Sequence, residues 1–438
     1  MGFYFFRKMK TEQLYHQFLN HPTISTDSRK IEPNCLFFAL KGDNFDGNKY
    51  ALEAIKKGAA YAIVDDPSLP KQEKLIFVND VLKALQRLAA HHRKQLAVPV
   101  LGITGTNGKT TTKELIVSIL QKKYQVTYTL GNLNNHIGVP LTLLNMNDKT
   151  QLAVVEMGAN HRGEIAELCE IADPDLGLIT NIGKAHLEGF GSFEGVVKTK
   201  SELYDYLKKK DGACFININN DLLITQAVGL DQLTYGNADN AQLRGELQES
   251  GYFLTVKALF PKGWLYLKSK LIGNYNFENI LAAARVGLHF KIDPLDIQQA
   301  IGNYLPTNNR SQLIVKGNNK IIMDAYNANP TSMLASLTNL SKIKEPLKTV
   351  ILGDMLELGE QSQPEHQKIA DFLKQLNLNA VFLVGQEFAK TSTDTKTKKF
   401  DHIELLSDYL NQQKPMENNL ILIKGSRGIK LEKILESF

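Results

Sequence analysis

Between Gly102 and Leu115 the chain reads GITGTNGKTTTKEL, with an apolar strand-like run, Val98 to Ile103, ahead of it and a helical pattern behind it. Gly105 and Gly108 can turn backbone N–H groups inward around a phosphate, and the following helix offers the positive end of its dipole. In such a loop Lys109 would reach the terminal phosphates of a nucleoside triphosphate, and Thr110 would offer a hydroxyl to Mg²⁺. Gly105, Thr106, Asn107, Gly108, Lys109, Thr110 and Thr111 are therefore the expected nucleotide contacts. The match to G-x-x-x-x-G-K-[ST] is imperfect, because Ile103 stands at the first glycine. A Gly/Thr-rich turn that merely caps a helix is the competing reading.

Two further groups invite a chemical reading. Glu156 ends the run LAVVEMG, and His186 follows DLGLITNIGKAH. Both would emerge at the carboxyl ends of parallel strands, the edge where open α/β sheets bind ligands. A carboxylate and an imidazole there could hold one or two Mg²⁺ ions against a triphosphate. Mg²⁺ prefers oxygen, so His186 is the weaker ligand on chemical grounds. The plain alternative makes Glu156 a neighbour of a helix N-cap and His186 a satisfied loop histidine.

The elements that must carry these groups alternate between strand and helix. At roughly 150 residues per domain, 438 residues suggest about three domains. The first hundred residues contain an amphipathic stretch, TEQLYHQFLN, strand-like CLFFAL and AAYAIV, and a helical pattern from Val81 to Leu96 that stops before Pro99. Beyond that seam come VPVLGITGTNG, QLAVVEMGAN and DLGLITNIG, the texture of a parallel sheet buried on both faces. Gln242 to Leu271 alternates and suggests added antiparallel strands. Helices are expected at Asn276 to Phe290 and near Leu295 to Ile301, opened by Pro294. A second seam, LPTNNRSQ, precedes KTVILGDM, AVFLVGQ and NLILIKGSR, which predict a smaller α/β domain with a short parallel sheet. KTSTDTKTKKF reads as a surface loop. The expected domains are 1–96, 97–308 and 309–438, all α/β.

Composition narrows the class. Hydrophobic residues make up 43% and charged residues 22%, a globular balance that excludes disordered and fibrous chains. Lys+Arg 51 against Asp+Glu 46 leaves +5, far from the clustered basic footprint of a nucleic-acid binder. Cys35, Cys169 and Cys214 form no C-x-x-C pair, which argues against a disulfide framework or a structural zinc site. The start, MGFYFFRKMK, puts an aromatic cluster before its basic residues without the apolar core of a secretory signal, and no apolar run approaches the ~18 residues of a membrane span. The expectation is a cytoplasmic protein with no membrane insertion.

Several longer strings resemble the Mur ligase family along nearly the whole chain. They are GTNGKTT at Gly105 to Thr111, GNLNNHIGVPLTLL at Gly131 to Leu144, EMGANHRGEI at Glu156 to Ile165 and NIGKAHLEGFGS at Asn181 to Ser192. GNYNFENILAA at Gly273 to Ala283, DAYNANPTSM at Asp324 to Met333, GDMLELGEQS at Gly353 to Ser362 and KGSRG at Lys424 to Gly428 follow. GTNGKT marks the wider family, folylpolyglutamate synthetases included. GNLNNHIG, EMGANHRGEI and DAYNANPTSM look like the branch that adds D-alanyl-D-alanine.

The resemblance implies three domains: one for a UDP-linked substrate, a central P-loop ATPase with a mostly parallel sheet, and a C-terminal Rossmann-like domain. It implies UDP-N-acetylmuramoyl-tripeptide and D-alanyl-D-alanine as substrates, with ATP phosphorylating a carboxylate that an amine then attacks. In that pattern Lys109 stabilises the transferring phosphoryl group, and Thr110, Glu156 and His186 face magnesium. Lys200 falls where relatives carry a lysine carbamylated by carbon dioxide, with Lys198 as its rival. Asn276 and Asn279 match residues near the adenine, and Asn276 also suits a helix N-cap. Arg310 matches a phosphate-binding hinge arginine, and Asp324, Tyr326, Asn327 and Asn329 would close over ribose and base. Ser28, Arg29 and the loop Asn44, Phe45, Asp46, Gly47 and Asn48 match the uridine-diphosphate site, although a histidine is frequent where Asn48 stands. Asn134 and Asn135 are implied substrate contacts, and a monomer is expected. Two other readings stay open: an amino-acid ligase of another Mur or folylpolyglutamate type, and a nucleotide-binding regulator without catalysis.

Overall fold

The computed structural model describes residues 9–248, 251–307 and 309–438. The aromatic cluster at residues 1–8, residues 249–250 of the alternating stretch and Asn308 of the second seam lie outside the described residues. Contacts divide the chain into two compact units. One comprises the chain up to Ile103 with Tyr124–Gly158 and Glu164–Gly177; the other comprises Thr104–Lys123, Ala159–Gly163 and Leu178–Phe438.

The N-terminal sheet of the first unit has four parallel strands, in the order Ile24–Ser25, Leu36–Phe38, Tyr61–Val64 and Leu75–Phe77. Their residues read as near-continuous apolar runs because helices cover the sheet. The helix Val81–Leu96 begins where Asp80 accepts the Lys83 N–H and ends at Ala97 in the left-handed region. The next residue, Val98, precedes Pro99, and a residue before proline is kept from helical geometry by the proline ring. The helix buries Val81, Leu85, Leu88 and Ala89, a stripe at helical spacing, and full burial of each larger aliphatic side chain stabilises the fold by about 1.5–3 kcal/mol. Leu85→Asp would place a charge in that stripe and break the packing.

The central sheet has nine strands, in the order Gly263–Ile272, Phe253–Phe260, Leu243–Gln248, Asp231–Gly236, Ala213–Asn217, Leu176–Ile179, Val100–Thr104, Leu152–Glu156 and Val126–Tyr128. Its last three strands pair in parallel, and the first three pair antiparallel, as the alternation from Gln242 predicts. Val100–Thr104 and Leu152–Glu156 are buried at every residue, so no alternating pattern survives in them. In the second unit the helix Lys109–Leu120 packs on Asn276–His289 closely enough that a Cβ on Gly287 would meet Ile119 at 2.7 Å.

The C-terminal sheet has six strands: Gln312–Lys316, Asn319–Asp324, Leu420–Lys424, Lys348–Gly353, Ala380–Val384 and Thr397–Phe400. All pairs are parallel except the first, an antiparallel hairpin. Three of these strands have no counterpart among the expected apolar runs. Thr397–Phe400 corrects the expected surface loop in part: it is an edge strand, where lysines such as Lys398 and Lys399 are tolerated and discourage further pairing.

Candidate active site

The phosphate loop closes the strand Val100–Thr104 and opens the helix Lys109–Leu120. Gly105 has φ +139° and Gly108 φ +79°, backbone conformations that favour glycine. A Cβ on Gly108 would also lie 2.6 Å from Asn279 Oδ1. The loop is pinned from one side. Thr106 N–H donates to Asn181 O at 2.9 Å, Asn107 N–H to Asn181 Oδ1 at 3.0 Å, and Thr180 Oγ1 to Asn107 O at 2.7 Å. Lys109 curls back over the loop, its Nζ donating to Gly105 O at 2.7 Å and Thr106 O at 3.1 Å. Thr110 and Thr111 are buried in the first helical turn.

His186, in the left-handed region at φ +50°, precedes the short helix Leu187–Phe190. Its Nδ1 contacts Glu357 Oε2. Burial holds the imidazole below its usual pKa; Glu357 opposes this, while the positive charges of Lys109 and Lys200 add to it. Lys200 is 2% exposed on the helix Phe193–Lys209, with Nζ 3.4 Å from Ala159 O and 5.3 Å from the Phe190 ring, whereas Lys198 is exposed.

Glu156, 1% exposed, ends its strand in the first unit. Asn134 Nδ2 donates to its Oε1 at 2.8 Å, and its N–H donates to Thr129 Oγ1 at 2.9 Å. Asn134 therefore orients a carboxylate. Asn135 accepts from the N–H groups of Ile137 and Gly138, a turn that starts the helix Gly138–Leu144.

The two asparagines matched to the adenine side are committed to the fold. Thr112 Oγ1 donates to Asn279 Oδ1 at 3.0 Å, Asn279 Nδ2 to Asn276 Oδ1 at 2.8 Å, and Asn276 Nδ2 to Ile272 O at 2.8 Å. Asn276 is not the helix N-cap: that position is Tyr275, and Asn276 is the first helical residue. Asp324 is held by Lys424 at 2.6 Å, Ser336 at 3.1 Å and the Ser311 N–H at 3.2 Å. Asn327 Oδ1 accepts the Ala328 N–H. Asn329 caps the helix Pro330–Lys342 through Ser332 and also reaches the phosphate loop, donating to Asn107 Oδ1 at 2.8 Å. Tyr326 lies beneath two guanidinium groups, Arg310 at 3.6 Å and Arg427 at 5.3 Å from its ring centre. Arg427 belongs to KGSRG, a string whose spacing alone assigns it no role.

The residues matched to the UDP site lie on the N-terminal part of the first unit. Arg29 is 85% exposed and forked onto Asp27 by two hydrogen bonds of 2.8 and 2.9 Å, beside the buried Ser28. The loop after Leu40 forms a small hairpin, Lys41–Gly42 with Phe45–Asp46, and Asn44 is exposed at its turn. Gly47 packs where a Cβ would come within 2.6 Å of the Ala39 backbone. Asn48 is buried and fully used: its amide donates to Asp46 and Asp65, and its carbonyl accepts the Asp65 and Asp66 N–H groups. Phe45 and Tyr50 stack outward, rings 5.5 Å apart and 9° from parallel.

Among the described residues no three His, Cys, Asp or Glu converge as a metal cage. Mg²⁺ keeps several waters and is held by one or two protein oxygens together with substrate phosphates.

Comparison with known proteins agrees with this layout. Three family models match: the Mur ligase family catalytic domain over residues 22–93, the Mur ligase middle domain over 103–287, and the Mur ligase glutamate ligase domain over 309–427. The UDP-N-acetylmuramoyl-tripeptide–D-alanyl-D-alanine ligase of Bacillus subtilis (strain 168) is 36% identical over 96% of this chain and 94% of its own. The Escherichia coli (strain K12) protein of the same name is 33% identical over 94% of this chain and 93% of its own. The crystal structure of MurF from Acinetobacter baumannii superposes with a TM-score of 0.85 at 31% identity, covering 94% of this chain and 92% of that one. The Thermotoga maritima MurF ligase in complex with ADP superposes with a TM-score of 0.85 at 26% identity, over 96% of this chain and 97% of that one. With three models along its length and full-length relatives above 30% identity, the chain belongs to the Mur ligase family.

Proposed function

We propose that the chain is the ATP-dependent ligase that joins D-alanyl-D-alanine to UDP-N-acetylmuramoyl-tripeptide in peptidoglycan precursor synthesis. A free carboxylate is a poor electrophile. Phosphorylation by ATP gives the tripeptide's terminal carbon a phosphate leaving group, the dipeptide amine adds to form a tetrahedral intermediate, and its collapse expels phosphate; the products are the amide, ADP and phosphate. The observation that carries the reading is the phosphate loop, with Gly105 and Gly108 at positive φ and Lys109 drawn over the loop carbonyls, on a chain of which 96% matches a D-alanyl-D-alanine-adding ligase.

Each group then has a task. The loop N–H groups and Lys109 would neutralise charge on the transferring phosphoryl group, which requires Lys109 to leave the loop carbonyls it now contacts. Within the second unit Mg²⁺, one or two ions, would be met by Thr110, His186 and a carbamylated Lys200, and would supply charge neutralisation for in-line transfer. The burial of Lys200 beside exposed Lys198 supports Lys200 as the modified lysine. Arg310, Asp324, Tyr326, Asn327 and Asn329 would form the nucleotide-facing side of the C-terminal sheet. Asn276 and Asn279 would face the adenine side, and the bond from Thr112 to Asn279 would tie them to the helix that follows the phosphate loop. Ser28, Arg29 and Asn44–Asn48 would take the UDP end, with Phe45 and Tyr50 as an aromatic platform for uracil. A cytoplasmic monomer is the expected form.

The test is turnover. ADP release should require both the UDP-tripeptide and D-alanyl-D-alanine, and running lysine- and diaminopimelate-containing precursors side by side would define the third residue. Release with D-glutamate or folate acceptors instead would place the chain in another branch, and no release with any pair would favour the regulator.

A further inference from the structure

GDMLELGEQS, Gly353 to Ser362, carries no side chain with a task in the reaction as described so far, yet the structure drives it against the His186 segment. After the strand Lys348–Gly353 the backbone is clamped residue by residue. Asp354 N–H donates to Val384 O at 3.0 Å, Met355 N–H to the buried His366 Nε2 at 3.0 Å, and Leu356 N–H to Ser426 Oγ at 3.0 Å. His366 is oriented in turn by Nδ1, which donates to Ser362 O at 2.7 Å. Glu357 is the next residue and takes φ +64°, a left-handed conformation that a non-glycine residue adopts at a cost. Gly359 packs on Glu188, and Lys184 Nζ bonds Glu365 Oε1 at 3.1 Å, so contacts flank the Glu357–His186 pair on both sides. Two residues, each in an uncommon backbone conformation, are thus made to meet.

We propose that Glu357 is a positioning residue for the ligation reaction, holding the His186 ring through Nδ1 so that Nε2 is presented to the reaction centre; the proposal rests on the reading of His186 as magnesium-facing. An ionised carboxylate only accepts hydrogen bonds, so the proton must sit on Nδ1 and the lone pair on Nε2. A carboxylate behind a ligating imidazole fixes both tautomer and ring angle and raises the basicity of the ligand, and loss of such a partner typically weakens metal binding about 10–100-fold.

The experiment uses Mn²⁺ as the probe, titrated into the full-length protein with a non-hydrolysable ATP analogue and followed by electron paramagnetic resonance, alongside turnover and thermal melting. Glu357→Ala should weaken Mn²⁺ about 10–100-fold. Glu357→Gln, which still accepts a hydrogen bond from Nδ1–H, should lose less, and both should lower kcat with KM for the UDP-tripeptide unchanged. His186→Ala is the control. Wild-type Mn²⁺ affinity in both Glu357 variants with weakened binding in His186→Ala overturns the proposal alone. Unchanged binding in His186→Ala removes the magnesium reading of that histidine and the proposal with it.

Discussion

The phosphate loop, Gly105 to Thr111, and the hairpin loop, Asn44 to Asn48, are both short and carry Asn and Gly, yet they are built in opposite ways. In the phosphate loop the polar side chains brace the backbone, and the proposed binding groups are the N–H groups, one lysine and one hydroxyl. In the hairpin loop Asn48 is consumed inside, tying the loop to Asp65 and Asp66, and what faces outward is an aromatic pair. Backbone N–H groups suit a phosphate, which every nucleotide shares. Outward side chains suit a particular base, which must be distinguished from others.

This contrast can be broken at specific positions. The largest effect is expected for Lys109→Ala: a turnover loss of about 10³-fold or more, since a donor aimed at charge that develops in the transition state is removed. Steady-state ADP release measures it, and near-normal turnover would remove Lys109 from the phosphoryl-transfer step. Lys200→Ala should lose about 10²-fold, taking the carbamate as a metal-supporting anion whose loss matches that of a metal-orienting partner. Added short carboxylic acids should restore part of that activity, and absence of rescue would leave the lysine as scaffold.

Smaller effects fall on stability. Gly108→Ala meets both the left-handed backbone and Asn279, and should cost about 1–3 kcal/mol by denaturant unfolding. Asn48→Ala leaves Asp65 and Asp66 N–H groups without their acceptor and should also cost about 1–3 kcal/mol, while substrate KM shifts little once the protein is folded. A large KM change at unchanged stability would make Asn48 a ligand contact and erase the contrast between the loops.

Much of this was legible in the residues. Apolar runs gave the central strands, and Val81 to Leu96 matches its helix because cap, stripe and proline all agree. The strand Thr397–Phe400 was hidden because an edge strand with lysines lacks an apolar signature. The first hairpin, Gln312–Lys316 with Asn319–Asp324, was hidden beside a seam rich in Asn and Pro. At the proposed site, motif spacing singles out Lys109, Thr110, Glu156 and His186, but spacing carries no information on which asparagines also make internal hydrogen bonds. Asn276, Asn279 and Asn48 are also tied into side-chain networks that spacing does not show. Glu357 was invisible for a related reason: its partner is 171 residues away, and only the clamped loop after Gly353 brings them together.

The division of labour between the two loops is tested most directly by calorimetry of UDP-tripeptide binding to two variants, Lys109→Ala and Phe45→Ala. Lys109→Ala should bind the precursor with wild-type affinity, and Phe45→Ala should bind it about tenfold more weakly, the loss of a stacking contact worth about 1–1.5 kcal/mol. Equal loss in both variants, or loss confined to Lys109→Ala, would contradict the account.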